Sequence, residues 1–131
     1  MFLLPALITA LTLLMYQILT FKVGVSRGKY GIAAPATHGH PDFDRIHRVQ
    51  INTMEQIVFF LPSMWLFAAF VSPQWAAGLG AIWIIGRILY ARSYYREAGH
   101  RMPGFFIALG AASILLLGGI IGIVSQLVAA A

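Results

Sequence analysis

Long apolar stretches alternate along this chain with short segments that carry all of its charge. Residues 1–21 hold no charged side chain, residues 56–86 form an uncharged run of 31, and residues 102–131 a run of 30. An uncharged apolar run of about 18 residues or more is long enough to cross a bilayer. The first run predicts a helix over 2–21, with Pro5 tolerated in its first turn. No basic stretch precedes that run, its apolar part is longer than the ~7–15 residues of a secretory leader, and no small-residue cleavage pattern stands before Lys22. It is read as a membrane span and not as a leader.

The middle run is too long for one helix, and Ser72-Pro73 divides it, because proline ends a helix and restrains the residue before it. Pro41 and Asp42 suit a helix start, so the second helix is expected over 42–71. The third is expected over 74–96 and the fourth over 103–129, opening at Pro103-Gly104. Residues 57–71 would span only ~22 Å at 1.5 Å per residue, against a hydrocarbon core of ~30 Å. The second helix therefore draws Glu55 and Asn52 into the membrane, and the third draws in Arg87 and Tyr90. Counted back from the hairpin tip, Glu55 and Arg87 come to lie at similar depth. Gly110, Gly118, Gly119 and Gly122 give the fourth helix the small residues that close packing in lipid favours. No internal repeat is visible, and the 131 residues read as one all-α membrane domain, a four-helix bundle.

Composition agrees with the pattern. Hydrophobic residues make up 60% of the chain and charged residues 10%, and the mean hydropathy is +0.80. The +5 formal charge would suit nucleic acid in a soluble protein, but here the basic residues flank apolar spans, so no nucleic-acid partner is expected. Lys22, Arg27, Lys29, Arg45, Arg48, Arg87, Arg92, Arg96 and Arg101 all lie in or beside the first and third connections. The positive-inside tendency then places those connections in the cytoplasm and both termini on the opposite side. There is no cysteine, which removes disulfides, thiolate metal sites and a protein-borne thiol nucleophile.

Two polar stripes are the candidates for chemistry. Arg48, Asn52 and Glu55 stand at i, i+4 and i+7, on one face of a helix. Arg87, Tyr90 and Tyr94 form a second stripe on the third helix. Ionisable groups at membrane depth are costly and generally face a bundle interior or a wet cavity. An ion pair that simply locks two helices would also use the first stripe, and an interfacial aromatic belt with snorkelling arginines would account for Arg92, Tyr95 and Arg96. Guanidinium forks suit carboxylates and a carboxylate suits an amino group, so the two stripes together match a zwitterionic, peptide-like anion. His38, His40 and His47 follow no metal-binding spacing, and no metal is expected.

The segments FDRIHRVQINTMEQ and GRILYARSYYREAGHRMPG resemble the signatures of the membrane-associated proteins in eicosanoid and glutathione metabolism, the MAPEG family. The RxxxNxxE spacing within RVQINTME is the most specific element, and the resemblance extends over nearly the whole chain. It implies a four-helix bundle that assembles as a homotrimer and binds glutathione between subunits on the cytosolic side. On this basis Arg48, Gln50, Asn52 and Glu55 hold glutathione, Tyr90 and Tyr94 contact it from the third helix, and Arg27 contacts it from the first loop. Arg101 matches the arginine that stabilises the glutathione thiolate. Two positions depart from the leukotriene-synthase-like members. Gln56 stands where a tyrosine is common, and Gly28 where a second arginine can follow Arg27. The implied activity is a glutathione transferase or peroxidase acting on lipophilic electrophiles reached through the bilayer. Two other readings compete: a non-catalytic lipid- or glutathione-binding scaffold of the same fold, and a small multidrug transporter. The transporter would be expected to carry an acid in its first helix, and residues 1–21 contain none.

Overall fold

A computed structural model describes all residues, 1–131. It is all-helical: α1 (Leu3–Tyr30), α2 (Pro41–Phe70), α3 (Pro73–Arg96), a single 3-10 turn (Ala98–His100) and α4 (Met102–Ala130). Thr9 of α1 meets Trp65 of α2, and Thr20 meets Gln50. Phe60 of α2 stacks on Trp83 of α3 with centroids 4.0 Å apart. These pairings run the helices up, down, up and down, so the α1–α2 and α3–α4 connections share one end of the bundle. That end carries the charge. α1, α2 and the helical segment ending in α4 are each long and apolar enough to cross a membrane, whereas α3 does not reach that hydropathy by itself. At 24 residues, about 36 Å, α3 is nevertheless long enough, and it packs against both α2 and α4 with Arg87 buried. The protein is a multi-pass integral membrane protein.

Each helix end has a local cause. Ser72 opens α3 by accepting the Trp75 N–H on its side chain, with Pro73 at the first helical position, where its missing N–H costs nothing. His40 caps α2, its Nδ1 accepting the Asp42 N–H at 3.1 Å, and its ring stacks on Tyr30. Asp42 forms an ion pair with Arg45, whose Nε donates to the Tyr95 carbonyl at 3.2 Å and ties the start of α2 to the end of α3.

α1 runs to Tyr30, nine residues beyond the end expected at Phe21. The apolar run stops where the hydrocarbon stops, but the helix does not. Val23 and Ser26 are buried, with Val23 against Ile32 and Phe43. Gly24 and Gly28 stand on the open face, where each costs only about 1 kcal/mol relative to alanine. The turn comes at Gly31, whose φ of 68° is the left-handed cap that glycine adopts freely. Arg27 is accordingly a helical residue, not a loop residue.

The core centres on Phe60, Met64, Trp83, Ala112 and Leu115. α3 and α4 cross in closest contact, at Gly86 and Gly104. A Cβ on Gly86 would lie 2.7 Å from the Ala108 nitrogen, and one on Gly104 would lie 2.8 Å from the Gly86 carbonyl oxygen and overlap the Tyr90 backbone. Gly118, Gly119 and Gly122 sit against Leu66, Phe67 and Phe70 of α2, as expected of small residues in a membrane bundle. Gly110 differs: nothing lies within 4 Å of where its Cβ would be, because it points away from both neighbouring helices.

Candidate functional site

The two polar stripes converge at the basic end of the bundle. Arg48 and Asn52 of α2, Tyr90 and Tyr94 of α3, and Arg101, Met102 and Phe105 at the start of α4 line one cleft of about 460 Å3. Met102 and Phe105 were not anticipated from the sequence. Phe105 stands four residues after Arg101, hence on the same helical face, and that spacing was the available signal. Tyr90 packs against Tyr94 and Phe105 with centroids 5.5 and 6.2 Å away, which fixes the floor of the cleft. Arg101 is exposed at the mouth, held by an Nη1 donation to the Ala98 carbonyl at 2.7 Å.

Glu55 lies beside the cleft. Its Oε1 is 3.5 Å from Arg48 Nη2, and both side chains are about half exposed, at 52% and 50%. An ion pair this open contributes little to stability. Its two halves are free to exchange partners, the guanidinium for an incoming carboxylate and the carboxylate for an incoming ammonium.

Arg87 is the buried member, 1% exposed. Nη2 donates to Asn52 Oδ1 at 2.9 Å and to Thr53 Oγ1 at 2.7 Å, and the guanidinium lies over the Tyr90 ring at 4.1 Å. Counting from the hairpin tip set Arg87 at a depth similar to that of Glu55; in the bundle it sits two to three residues further along α2 from the tip. Its partners are Asn52 and Thr53, while Glu55 goes to Arg48. Nε and Nη1 have no partner, so no carboxylate neutralises this cation within the protomer. Arg87 therefore fixes the Asn52 amide, with its oxygen turned inward and its NH2 left for the cleft.

The pattern of the MAPEG family matches residues 4–121. The chain belongs to that family. It is similar to an uncharacterized protein of Synechocystis, 51% identical over 94% of this chain and 90% of the relative. It is also similar to human microsomal glutathione S-transferase 2, 35% identical over 80% of this chain and 71% of the relative. Rat leukotriene C4 synthase is 29% identical over 85% and 74%.

Two residues assigned from the MAPEG resemblance lie apart from the cleft in a single protomer. Arg27 donates from Nη1 to the Ala36 carbonyl at 2.7 Å and rests over the Phe43 ring. Gln50 points to α1 and donates from Nε2 to Thr20 Oγ1 at 3.1 Å. Gln50 follows Arg48 by two residues, roughly 200° around the helix, so it cannot share the face of Arg48 and Asn52. The histidines serve local structure: His40 caps α2, His47 stacks on Phe43, and His100 lies 3.5 Å from Glu97.

Proposed function

We propose that this MAPEG protein is a membrane-bound glutathione transferase that presents glutathione as its thiolate to lipophilic electrophiles. The observation that carries the reading is the convergence of Arg48, Asn52, Tyr90, Tyr94 and Arg101 on one cleft at the charged end of the bundle. In this reading the Arg48–Glu55 pair opens onto the zwitterion: Arg48 takes a glutathione carboxylate and Glu55 its ammonium. Asn52, oriented by Arg87, donates its amide hydrogens to the peptide, and the two phenols contact it from α3. Arg27 and Gln50 serve the cleft of a neighbouring copy, because in their own protomer they face elsewhere. That calls for a neighbouring subunit, which the MAPEG resemblance implies is part of a homotrimer with the cleft between subunits; the positive-inside tendency puts the cleft on the cytoplasmic side and the termini opposite.

Arg101 supplies the electropositive environment of the sulfur. A permanent cation beside a thiol lowers its pKa from about 8.5 and raises the thiolate fraction at neutral pH. An arginine has no site to accept the proton, so water carries it off. The thiolate then forms a carbon–sulfur bond as the electrophile loses its leaving group, or as an epoxide oxygen opens and is protonated. With a hydroperoxide the thiolate attacks the outer oxygen and the alcohol leaves. A second glutathione then yields water and glutathione disulfide.

The test is glutathione binding to detergent-purified protein, followed by the ultraviolet absorbance of a bound thiolate at neutral pH. Binding with thiolate formation is the expected result. Binding without thiolate, or no binding at millimolar glutathione, would replace the enzyme with a glutathione- or lipid-binding scaffold of the same fold.

A second expectation concerns Arg87. Arg87→Met keeps the volume and removes a buried cation that has no acid beside it, so the loss of stability stays within about 1–2 kcal/mol. It also frees the Asn52 amide to rotate. The KM for glutathione is expected to rise about tenfold, one hydrogen bond of about 1–1.5 kcal/mol, with kcat within about twofold. Steady-state kinetics on the two proteins separates these quantities, and an unchanged KM would remove the positioning role.

A further inference from the structure

On another side of α3 from the cleft, α1 and α3 leave between them a groove of about 410 Å3. This volume lies within the ~300–1,000 Å3 of ordinary ligand pockets. Its walls are Leu11, Leu14 and Ile18 of α1 with Ile84 and Ile88 of α3, and Arg87 borders it from below the surface, only 1% exposed. Leu14 is 53% exposed, Ile18 60% and Ile88 45%, so the groove opens sideways to the hydrocarbon. From Leu11 to Lys22 it rises eleven residues, about 16 Å of helix.

The chemistry changes at the upper end. Lys22, Arg92 and Tyr95 frame the mouth, at the same end of the bundle as Arg45, which bonds to the Tyr95 carbonyl. Lys22 Nζ sits 3.7 Å over the Tyr95 ring, and neither Lys22 nor Arg92 has a carboxylate partner, the ion pairs being Arg45–Asp42, Arg48–Glu55 and His100–Glu97. No acid lines the groove. An occupant must therefore be apolar along about 16 Å and anionic at the end that meets the membrane surface.

The geometry points to a binding site for an anionic phospholipid, with one acyl chain lying between α1 and α3 and its phosphate held by Lys22 and Arg92. Basic pockets between spans on the positively charged side select such headgroups, and each cation near the surface adds to the attraction. A second copy of the chain fits less well. It could offer only four acids, and each already has a partner in its own chain: Asp42 has Arg45, Glu55 has Arg48, Glu97 has His100 and Asp44 has the Gly39 N–H. A second copy would exchange one pairing for another, whereas a phosphate brings an unpaired charge to Lys22 and Arg92. The site lies outside the glutathione cleft and does not depend on the reading given to that cleft.

Photolabelling tests this. The full-length protein is placed in phosphatidylcholine nanodiscs that contain a small fraction of phosphatidylglycerol with a diazirine on its acyl chain. Adducts are expected at Leu14, Ile18 and Ile88, competed by unlabelled phosphatidylglycerol and not by added phosphatidylcholine. Lys22→Gln combined with Arg92→Gln should reduce them about tenfold. Ile88→Trp, a lipid-facing change that fills the groove and leaves both cations, should abolish them. Both variants should bind glutathione as the parent does, which keeps this result separate from the fate of the transferase reading. Adducts spread evenly over the exposed helix faces, equal competition by phosphatidylcholine, indifference to the loss of both cations, or cross-links to a second copy through the groove would each overturn the proposal.

Discussion

Arg101→Ala is expected to lower the rate of glutathione conjugation at saturating glutathione by about 100-fold, the scale of losing one preorganised charge-stabilising group. The fold should be unaffected. Arg101 is exposed, stands just before the first residue of α4, and its side chain holds only the Ala98 carbonyl, so its truncation opens no cavity. Glutathione binding should persist, because Arg48, Asn52, Tyr90 and Tyr94 remain. The loss should therefore appear in kcat and in the absorbance of the bound thiolate more than in KM. Arg101→Lys restores a cation but not the planar fork, and partial recovery of the thiolate signal is the expected outcome. A purified Arg101→Ala enzyme with full rate and full thiolate absorbance would take the thiolate role away from this residue.

Gly104→Leu is expected to prevent the bundle from assembling. The α3–α4 crossing allows no Cβ at Gly104, whose added carbon would meet the Tyr90 backbone and the Gly86 carbonyl. Ordinary overpacking costs about 1–3 kcal/mol because side chains can move aside. Here the obstacle is backbone, and the helices must separate. Separation would also move Tyr90 away from Phe105 and dismantle the cleft, so any residual protein should bind no glutathione. Size-exclusion profile and thermal unfolding in detergent read the effect. Gly110→Ala is the matched control: it meets open space, relieves the backbone entropy of a helical glycine, and should be neutral or stabilising by up to about 1 kcal/mol. If Gly104→Leu unfolds at the parent temperature, the crossing is looser than this geometry requires.

Much of the site was legible in the chain because a helix converts spacing into a face. Arg48, Asn52 and Glu55 at i, i+4 and i+7 could only project together, and Tyr90 and Tyr94 likewise. Placing Arg101 in the same cleft required the family resemblance, since nothing local in HRMPG states which helices its side chain will stand between. The family pattern alone did not say where Arg27 and Gln50 point. Both are polar and both match the family pattern, yet each is turned to its own α1–α2 surface.

Bilayer thickness, proline geometry and 1.5 Å per residue act locally and leave few alternatives, so the number of helices, the break at Ser72-Pro73 and the concentration of charge at one end follow from the chain alone. Where α1 ends, which glycines are crowded and whom each charge meets depend on how the helices pack. α1 continues past the last hydrocarbon-compatible residue because Val23 and Ser26 are buried at its contact with the start of α2. Gly104 is crowded and Gly110 is free because α3 passes one and not the other. Arg87 bonds Asn52 and Thr53, and Glu55 turns to Arg48, because polar partners are chosen by distance across a packed interface, and hydropathy along a single chain carries no record of that distance.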